Sequence, residues 1–445
     1  MDRYVVVGGG ASGALVVAQL ARQAREPVDV TVVEPRERLG RGIAYDTENP
    51  RHLLNVPSRA MSALPDQPDH FHRWAGGSSV DFCSRARYGE YLEAVLRESW
   101  RRAPEGSTFQ HLRDTVTGLS RMPTGAMRLV TASGAWLYAD GVVLATGHGE
   151  PLRPDWLEPV AAVVVPPWTP RLTERIGGEG QVLCVGTGLT AVDVALEVLA
   201  ADPRARVTAV SRRGLVPAAH RLPLAAPCEL DIGPGPVRLR PLIRTLRSVE
   251  GDWRAVVDGL RPLTPEIWAS FTPVERRSFV THVDRYWEAH RHRMAPEVAR
   301  RLEHYRHAGR LRFVACWSPS ASMWGGQAHV RLGAERLRVD AIVTCFGPGP
   351  ALTGTELGND LESAGLARPG PFGLGVDCDP LTGALIGASG RIDDRIVTIG
   401  PLRRGVLWES TAIGEIRTQA SAVAGHLLAA RRVRRYGVTA SLHTV

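Results

Sequence analysis

Two glycine-rich turns, and the residues that end the strands after them, carry the chemistry legible in this chain. The first is Gly8-x-Gly10-x-x-Gly13, which follows the apolar run Tyr4 to Val7 and encloses Ala11 and Ser12. Gly8 permits a tight turn, Gly10 lets backbone approach a pyrophosphate, and Gly13 allows the next helix to pack closely on its strand. The free amides and positive dipole end of that helix then face an anion. A valine-rich strand, Val28 to Val33, follows and ends in Glu34. That acid lies about twenty residues beyond the last glycine, where a dinucleotide site places a carboxylate to accept ribose hydroxyls. Strand, helix, second strand and acid in this order predict an adenine dinucleotide on the first turn.

The second copy is looser. A strand from Gln181 to Val185 runs into Gly186-Thr187-Gly188-Leu189-Thr190-Ala191, in which Ala191 replaces the third glycine and is still small enough for close helix packing. The following strand, Arg206 to Val210, ends in Ser211-Arg212-Arg213 with no acid. Paired guanidiniums favour a 2′-phosphate through charge-assisted hydrogen bonds, so this turn predicts NADPH in preference to NADH. The plainer reading of the same arginines is a solvated turn.

The elements that position these turns give the organisation of the chain. An α/β fold follows, with two Rossmann-like dinucleotide-binding domains, the second inserted in the first and carrying a helical insertion. The first domain is expected over residues 1–165, ending its sheet at the buried strand before Thr146-Gly147. The proline-rich stretch Val165 to Pro170 reads as the crossing to the second domain, 166–349. Helical patterns at Pro241–Ser248, Asp252–Leu260, Pro273–His292 and Pro296–His307 form an insertion over about 236–310. Strands return at Leu311–Ala315 and Val339–Gly347, and residues 350–445 rejoin the first domain with a helix over Glu409–Ala430.

Composition removes several classes of function. A chain of 445 residues with a net charge of +8 contains no lysine, so every basic side chain other than histidine is arginine. A lysine nucleophile, a Schiff base and a Walker-type phosphate lysine are therefore absent. The arginines are dispersed among acids and apolar residues, which argues against nucleic acid. No apolar run approaches the roughly 20 residues that span a bilayer. The N-terminal run reads as a strand and not as a signal peptide. The six cysteines, Cys83, Cys184, Cys228, Cys316, Cys345 and Cys378, are scattered with no C-x-x-C pair, and the expected compartment is the cytoplasm. The histidines between 290 and 307 include Glu303-His304-x-x-His307, but the surrounding arginines oppose a divalent ion, and no metal is expected.

The two fingerprints and the glycine exits at Thr146-Gly147 and Phe346-Gly347 resemble the two-dinucleotide-binding-domain flavoproteins. Further motifs resemble the FAD/NAD(P)-binding protein family of bacterial flavoproteins, similar to class B-like flavin monooxygenases. These are Gly42-Ile43-Ala44-Tyr45, His52-Leu53-Leu54-Asn55-Val56-Pro57, Ser211 to Pro217, Tyr286 to Met294 and Trp408-Glu409-Ser410-Thr411-Ala412. The resemblance implies FAD on the first domain, with Gly8, Gly10, Ala11, Ser12 and Gly13 at the pyrophosphate, Glu34 at the ribose and Val116 at the adenine edge through its backbone. It implies that Leu53 to Met61 run beside the isoalloxazine, and that Gly400 through Thr411, with Trp408, close the flavin site together with Thr146 and Gly147. NADPH would be held by Gly186, Gly188, Leu189, Thr190, Ser211, Arg212 and Arg213.

NADPH reducing FAD leaves an electron acceptor to be named. Disulfide reductases use a cysteine pair beside the flavin, and this chain has none, so dioxygen is the expected acceptor. The leading expectation is an NADPH-consuming monooxygenase acting through a C4a-hydroperoxyflavin. Its specific form would N-hydroxylate an amine or amino acid in a biosynthetic pathway, as some similar proteins do. A flavin dehydrogenase or oxidase without oxygen insertion, and a non-catalytic flavoprotein or electron-transfer partner, stay open as alternatives. Asn55 is the catalytic candidate, since its amide can hydrogen-bond the flavin or peroxide; the competing role is a turn cap before Pro57. Arg403, Arg404 and Arg417 are candidates to clamp a substrate carboxylate. The expected partners are a small-molecule substrate and dioxygen, with no nucleic acid and no membrane; homo-oligomerisation is left open.

Overall fold

A computed structural model describes residues 1–177, 180–233, 235–347, 349, 352 and 354–436, the last six of these by backbone alone. The chain divides into two compact units. The first comprises residues 1–50, 57–150 and 349–445; the second comprises 51–56 and 151–348. The first boundary therefore falls before the one expected at 165, and for a clear reason. Val164–Val165 pairs in parallel with Ile342 and Val343, so the chain has joined the second sheet by the time it reaches the first proline of that stretch, Pro166. Around the expected return at 350, residues 348, 350, 351 and 353 lie outside the described set.

The first unit is built on a six-stranded sheet ordered Ala384–Ile386, Ile392–Thr398, Gly141–Leu144, Asp2–Val7, Val28–Val33, Thr108–Leu112. All neighbours are parallel except the first pair. Strands covered on both faces need near-continuous apolar sequence, which is why Val28–Val33 reads as a valine run. Register sets Val7 level with both Val33 and Leu144, so Gly8, Glu34 and Ala145 emerge side by side. The helix Ala11–Gln23 is buried from Ser12 to Ala21, because it packs between the sheet, the helix Arg85–Arg101 and the C-terminal helix Ile413–Tyr436.

The second unit repeats the plan. Its sheet is ordered Leu311–Ala315, Arg206–Ser211, Gln181–Val185, Ala341–Thr344, Val164–Val165, all parallel. In each unit a three-stranded antiparallel meander leads into a strand of the main sheet, Gly141–Leu144 or Ala341–Thr344: Val116–Arg121, Met127–Thr131 and Trp136–Ala139 in one, Ser320–Trp324, Gln327–Leu332 and Glu335–Val339 in the other. The repeat extends to single side chains. Asp140 accepts a hydrogen bond from Arg3 N at 3.0 Å, and Asp340 accepts one from Gln181 N at 2.8 Å. Each carboxylate satisfies an amide at the start of the strand that leads into its unit's glycine turn.

The helical insertion lies between the strands Arg206–Ser211 and Leu311–Ala315. The expected helix over 273–292 is two helices, Pro273–Ser278 and Asp284–Arg291, separated by a π-helical turn at Phe279–Val283. A capping box between Thr272 and Glu275 starts the first of them. Thr264–Ser270 forms a further helix that periodicity did not indicate, and it buries Trp268. Tyr286, on the helix Asp284–Arg291, is exposed.

Candidate functional site: two glycine crevices

At the first turn, Gly8 has φ +99°, and a Cβ there would lie 2.4 Å from the Ala145 carbonyl oxygen. Gly13 is equally constrained, with a Cβ 2.0 Å from Gly8 O. Gly10 differs. Its φ is −67°, and its nearest neighbour to a Cβ would be Gly42 Cα at an ordinary 3.5 Å. Neither conformation nor packing demands glycine at position 10, whereas close approach of a phosphate to the helix N-terminus does. No side chain caps that helix and its first turn holds no acid, so no carboxylate of that turn competes for its amides.

Glu34 is buried at the end of its strand. Its Oε2 accepts from Gly9 N at 2.8 Å and its Oε1 from Arg36 N at 3.1 Å. Arg36 Nη1 also donates to Oε1 at 3.3 Å, and since a carboxylate has about four acceptor positions, these three donors leave capacity for one ribose hydroxyl. His111 Nε2 donates to the Glu34 carbonyl at 2.9 Å and fixes the chain direction there. Ser12 and Gly400, far apart in sequence, come together: a Cβ on Gly400, whose φ is +74°, would sit 2.8 Å from Ser12 Oγ. Gly400 N donates to Gln419 Oε1 at 3.0 Å, which ties the segment to the C-terminal helix. Thr146 and Gly147 follow the Gly141–Leu144 strand at the same edge, and a Cβ on Gly147 would meet nothing within 4 Å. Val116 lies in the meander, paired with Thr131, and Trp408 is buried beneath the Arg404 guanidinium, 4.9 Å from its ring centroid.

Three side chains grip the Met61–Ala63 backbone. Tyr88 OH donates to Met61 O at 2.9 Å, Arg417 donates to Ser62 O at 3.0 Å, and Ala63 N donates to Tyr91 OH at 3.1 Å. Both phenols are buried, and burial pushes the Tyr91 hydroxyl up to about 12 and Tyr88 well above its usual range. They stay protonated as neutral hydrogen-bonding groups. Sequence reasoning did not single out Tyr88 or Tyr91; the apolar face of Arg85–Arg101 was the only available signal.

The arginines expected to clamp substrate separate into distinct environments. Arg403 is fully buried and donates to the backbone carbonyls of Asp379, at 3.3 Å, and Pro380, at 2.6 Å. Burial lowers its pKa, opposed by Cys378 and Asp379. One end of its guanidinium, Nη2, holds the 379–380 turn, while its buried Nε has no hydrogen-bond partner. Arg417 serves Ser62 and Arg404 stacks on Trp408, as described above.

The second crevice has the same division of labour among its glycines. Gly186 has φ +125°, with a Cβ 2.1 Å from Cys345 O, the counterpart of Gly8 against Ala145. Gly188 has φ −76° and open space where a Cβ would be. It precedes the uncapped helix Leu189–Ala201, in which Ala191 is fully buried. Thr190 is partly exposed in the first turn. Ser211 Oγ pairs with Thr187 Oγ1 at 2.9 Å and accepts from Gly214 N at 3.0 Å, shaping the 211–214 turn. Arg212 is exposed, and Arg213 lies over the Trp317 ring at 5.1 Å from its centroid. Trp317 was missed by sequence reasoning; an aromatic two residues beyond the Leu311–Ala315 strand was the signal.

Asn55 belongs to the six-residue segment that joins the second unit. His220 Nε2 donates to its carbonyl at 3.0 Å. Three residues earlier, buried His52 contacts Glu197 on the Leu189–Ala201 helix at 3.1 Å and meets Trp168 edge-on at 6.2 Å between centroids. His220 is itself held by main-chain hydrogen bonding to Met294 and faces the buried Arg293, which pairs with Asp258.

Residues 5–149 match a family model described as FAD-NAD(P)-binding. Among curated proteins, Monooxygenase ptmN of Penicillium ochrochloron is 28% identical over 234 residues, half of this chain but 36% of that protein. The chain thus spans little more than a third of that relative's length. Among solved structures, the Kutzneria sp. 744 ornithine N-hydroxylase superposes with a TM-score of 0.64 at 13% identity, covering 97% of this chain and 100% of that one. The L-lysine 6-monooxygenase of Pseudomonas syringae gives 0.64 at 17% identity with the same coverages. The fold is that of the two-dinucleotide-binding-domain flavoproteins. Among the described residues, no helix is long and apolar enough to cross a membrane.

Proposed function

We propose that this protein is an FAD-dependent, NADPH-consuming monooxygenase that hydroxylates an amine nitrogen, with an amino acid or a related amine as substrate. The observation that carries this reading is the pair of glycines, Gly10 and Gly188, that neither backbone nor packing requires, each opening a helix in its own parallel-sheet unit. Two such crevices suit two dinucleotides, and the residues at the strand ends support which cofactor goes to which. Glu34 suits a ribose with free hydroxyls; Arg212 and Arg213 suit a 2′-phosphate. The similarity to a curated monooxygenase and the shared fold with ornithine and lysine hydroxylases support the oxygenase chemistry.

When bound, the flavin would supply hydride acceptance from NADPH and the activation of dioxygen. The chain's own residues bind, orient and exclude water. The amides after Gly10 would hold the pyrophosphate, and Glu34 would accept a ribose hydroxyl. Met61–Ala63, fixed by Tyr88, Arg417 and Tyr91, presents a rigid backbone edge. Among the described residues, no three His, Cys, Asp or Glu side chains are grouped to hold a metal, and the mechanism routes no step through one. Oxygen transfer to nitrogen requires few acid–base groups from the protein, so binding and shielding suffice.

The test is direct. Purified protein should carry a flavin absorbance and consume NADPH faster with amine or amino-acid substrates present, yielding a hydroxylamine in proportion. Anaerobic reduction of the flavin by substrate, without NADPH, would replace this reading with a dehydrogenase or oxidase. Absence of any NADPH oxidation would leave an electron-transfer partner.

A further inference from the structure

We propose that Trp317 and Arg213 form a preassembled platform for a 2′-phosphorylated adenosine, in which the indole stacks on the purine and the guanidinium binds the 2′-phosphate. The inference deepens the reading of the second crevice as an NADPH site and rests on it.

The argument begins with strand register. Ser211 is paired with Ala315, and Cys316 N donates to Ser211 O at 2.9 Å, so the adjacent strands end level. The turn after Ser211 then lies against the end of its neighbour: a Cβ on Gly214 would be 3.2 Å from Ala315 N. This register delivers Arg213 and Trp317 to the same carboxyl edge of the sheet. In doubly wound sheets that edge is where the ligand crevice opens.

Trp317 retains 63% exposure although Arg213 sits 5.1 Å from its ring centroid. An indole so placed keeps apolar area free for a planar base. A solvated surface pair of this kind contributes about 0.5–1 kcal/mol, so the stack does not by itself account for leaving an indole in water. Among the described residues, neither Arg212 nor Arg213 is paired with a carboxylate, so both charges are available to a phosphate. Stacking on the indole also restricts the Arg213 side chain, and a guanidinium held in place loses less freedom when it takes up a phosphate. The two residues divide the recognition: Trp317 reads the adenine that NADPH and NADH share, and Arg213 reads the phosphate that separates them.

The probes are 2′,5′-ADP and 5′-ADP, titrated calorimetrically into the flavin-loaded protein, so that the readout does not depend on turnover. Trp317→Ala should weaken both by a similar factor of about 10, as expected for loss of one base–aromatic stack. Trp317→Phe should recover most of that loss. Arg213→Ala should weaken 2′,5′-ADP by about 10-fold or more and leave 5′-ADP nearly unchanged, as loss of a charge-assisted bond predicts. Unchanged affinities in Trp317→Ala, with wild-type binding intact, would overturn the platform alone. Equal weakening of both probes by Arg213→Ala would overturn its assignment to the phosphate. Failure of the wild type to bind 2′,5′-ADP would overturn the platform together with the NADPH reading.

Discussion

The imidazole of His220 donates a 3.0 Å hydrogen bond to the main-chain carbonyl of Asn55, 165 residues earlier in the chain. This contact, together with that of His52 to Glu197, holds both ends of a short segment whose sequence resembles a flavin-flanking loop. Asn55 is thereby held by its backbone carbonyl. His220 is a positioning residue in this arrangement.

Replacing His220 by alanine removes the donor and leaves the Asn55 carbonyl without this partner. If Asn55 acts beside the flavin, the product formed per NADPH should fall several-fold while NADPH-driven flavin reduction changes by less than about twofold, since only an orienting interaction is lost. Hydroxylamine and hydrogen peroxide yields, measured together, check this. An unaltered ratio would place Asn55 outside the chemistry.

His220 also gives the fold a pH dependence. Burial first, then the Arg293 charge, depress its pKa to about 4 from 6.5. The native state therefore binds fewer protons than the unfolded chain between these values, and stability falls as pH drops through that window. The full contribution is present above pH 6.5 and amounts to roughly 3 kcal/mol lost by pH 4. Thermal unfolding at pH 7 and pH 5 should show a smaller drop in Tm for His220→Asn than for the wild type.

The two kinds of glycine predict opposite phenotypes. Gly8→Ala forces a Cβ to 2.4 Å from a backbone oxygen at positive φ, so it should cost roughly 2–4 kcal/mol of stability and lower flavin content with it. Gly188→Ala meets open space, so Tm should stay within about 2 °C while 2′,5′-ADP binding weakens. Unfolding curves and calorimetry on both variants separate the cases.

Arg403 and Arg417 divide in a similar way. Arg403→Ala orphans two carbonyls beneath a buried cavity and should destabilise the protein by roughly 2–4 kcal/mol. At a temperature where the variant is folded, its KM for substrate should match wild type. Arg417→Met keeps much of the side-chain bulk but releases Ser62 O, so flavin retained after gel filtration should fall more than Tm does. A raised KM in Arg403→Ala would support that residue as a substrate clamp.

The crevices were legible in the sequence because their requirements are local. A tight turn at Gly8 or Gly186, a strand of valines between covered faces, and an acid or arginine at a strand end each use a few consecutive residues. The meanders were harder to read, since strands as short as Trp136–Ala139 gain their stability from neighbours and not from their own pattern. The helical insertion showed its periodicity, but the break at Phe279–Val283 lies within a continuous helical pattern.

The roles of the arginines were decided by tertiary structure alone. Arg403 and Arg404 are adjacent, yet one is sealed against the 379–380 turn and the other stacks on Trp408. Composition could establish that every cation other than histidine here is a guanidinium, and the glycine spacing could establish where the two strand-to-helix turns lie. Which guanidinium meets a phosphate, a carbonyl or an indole depends on partners many residues away. Those partners are brought within hydrogen-bonding range only when the parallel sheets set their register, because a guanidinium's short-range bonds depend on three-dimensional distance and not on order along the chain.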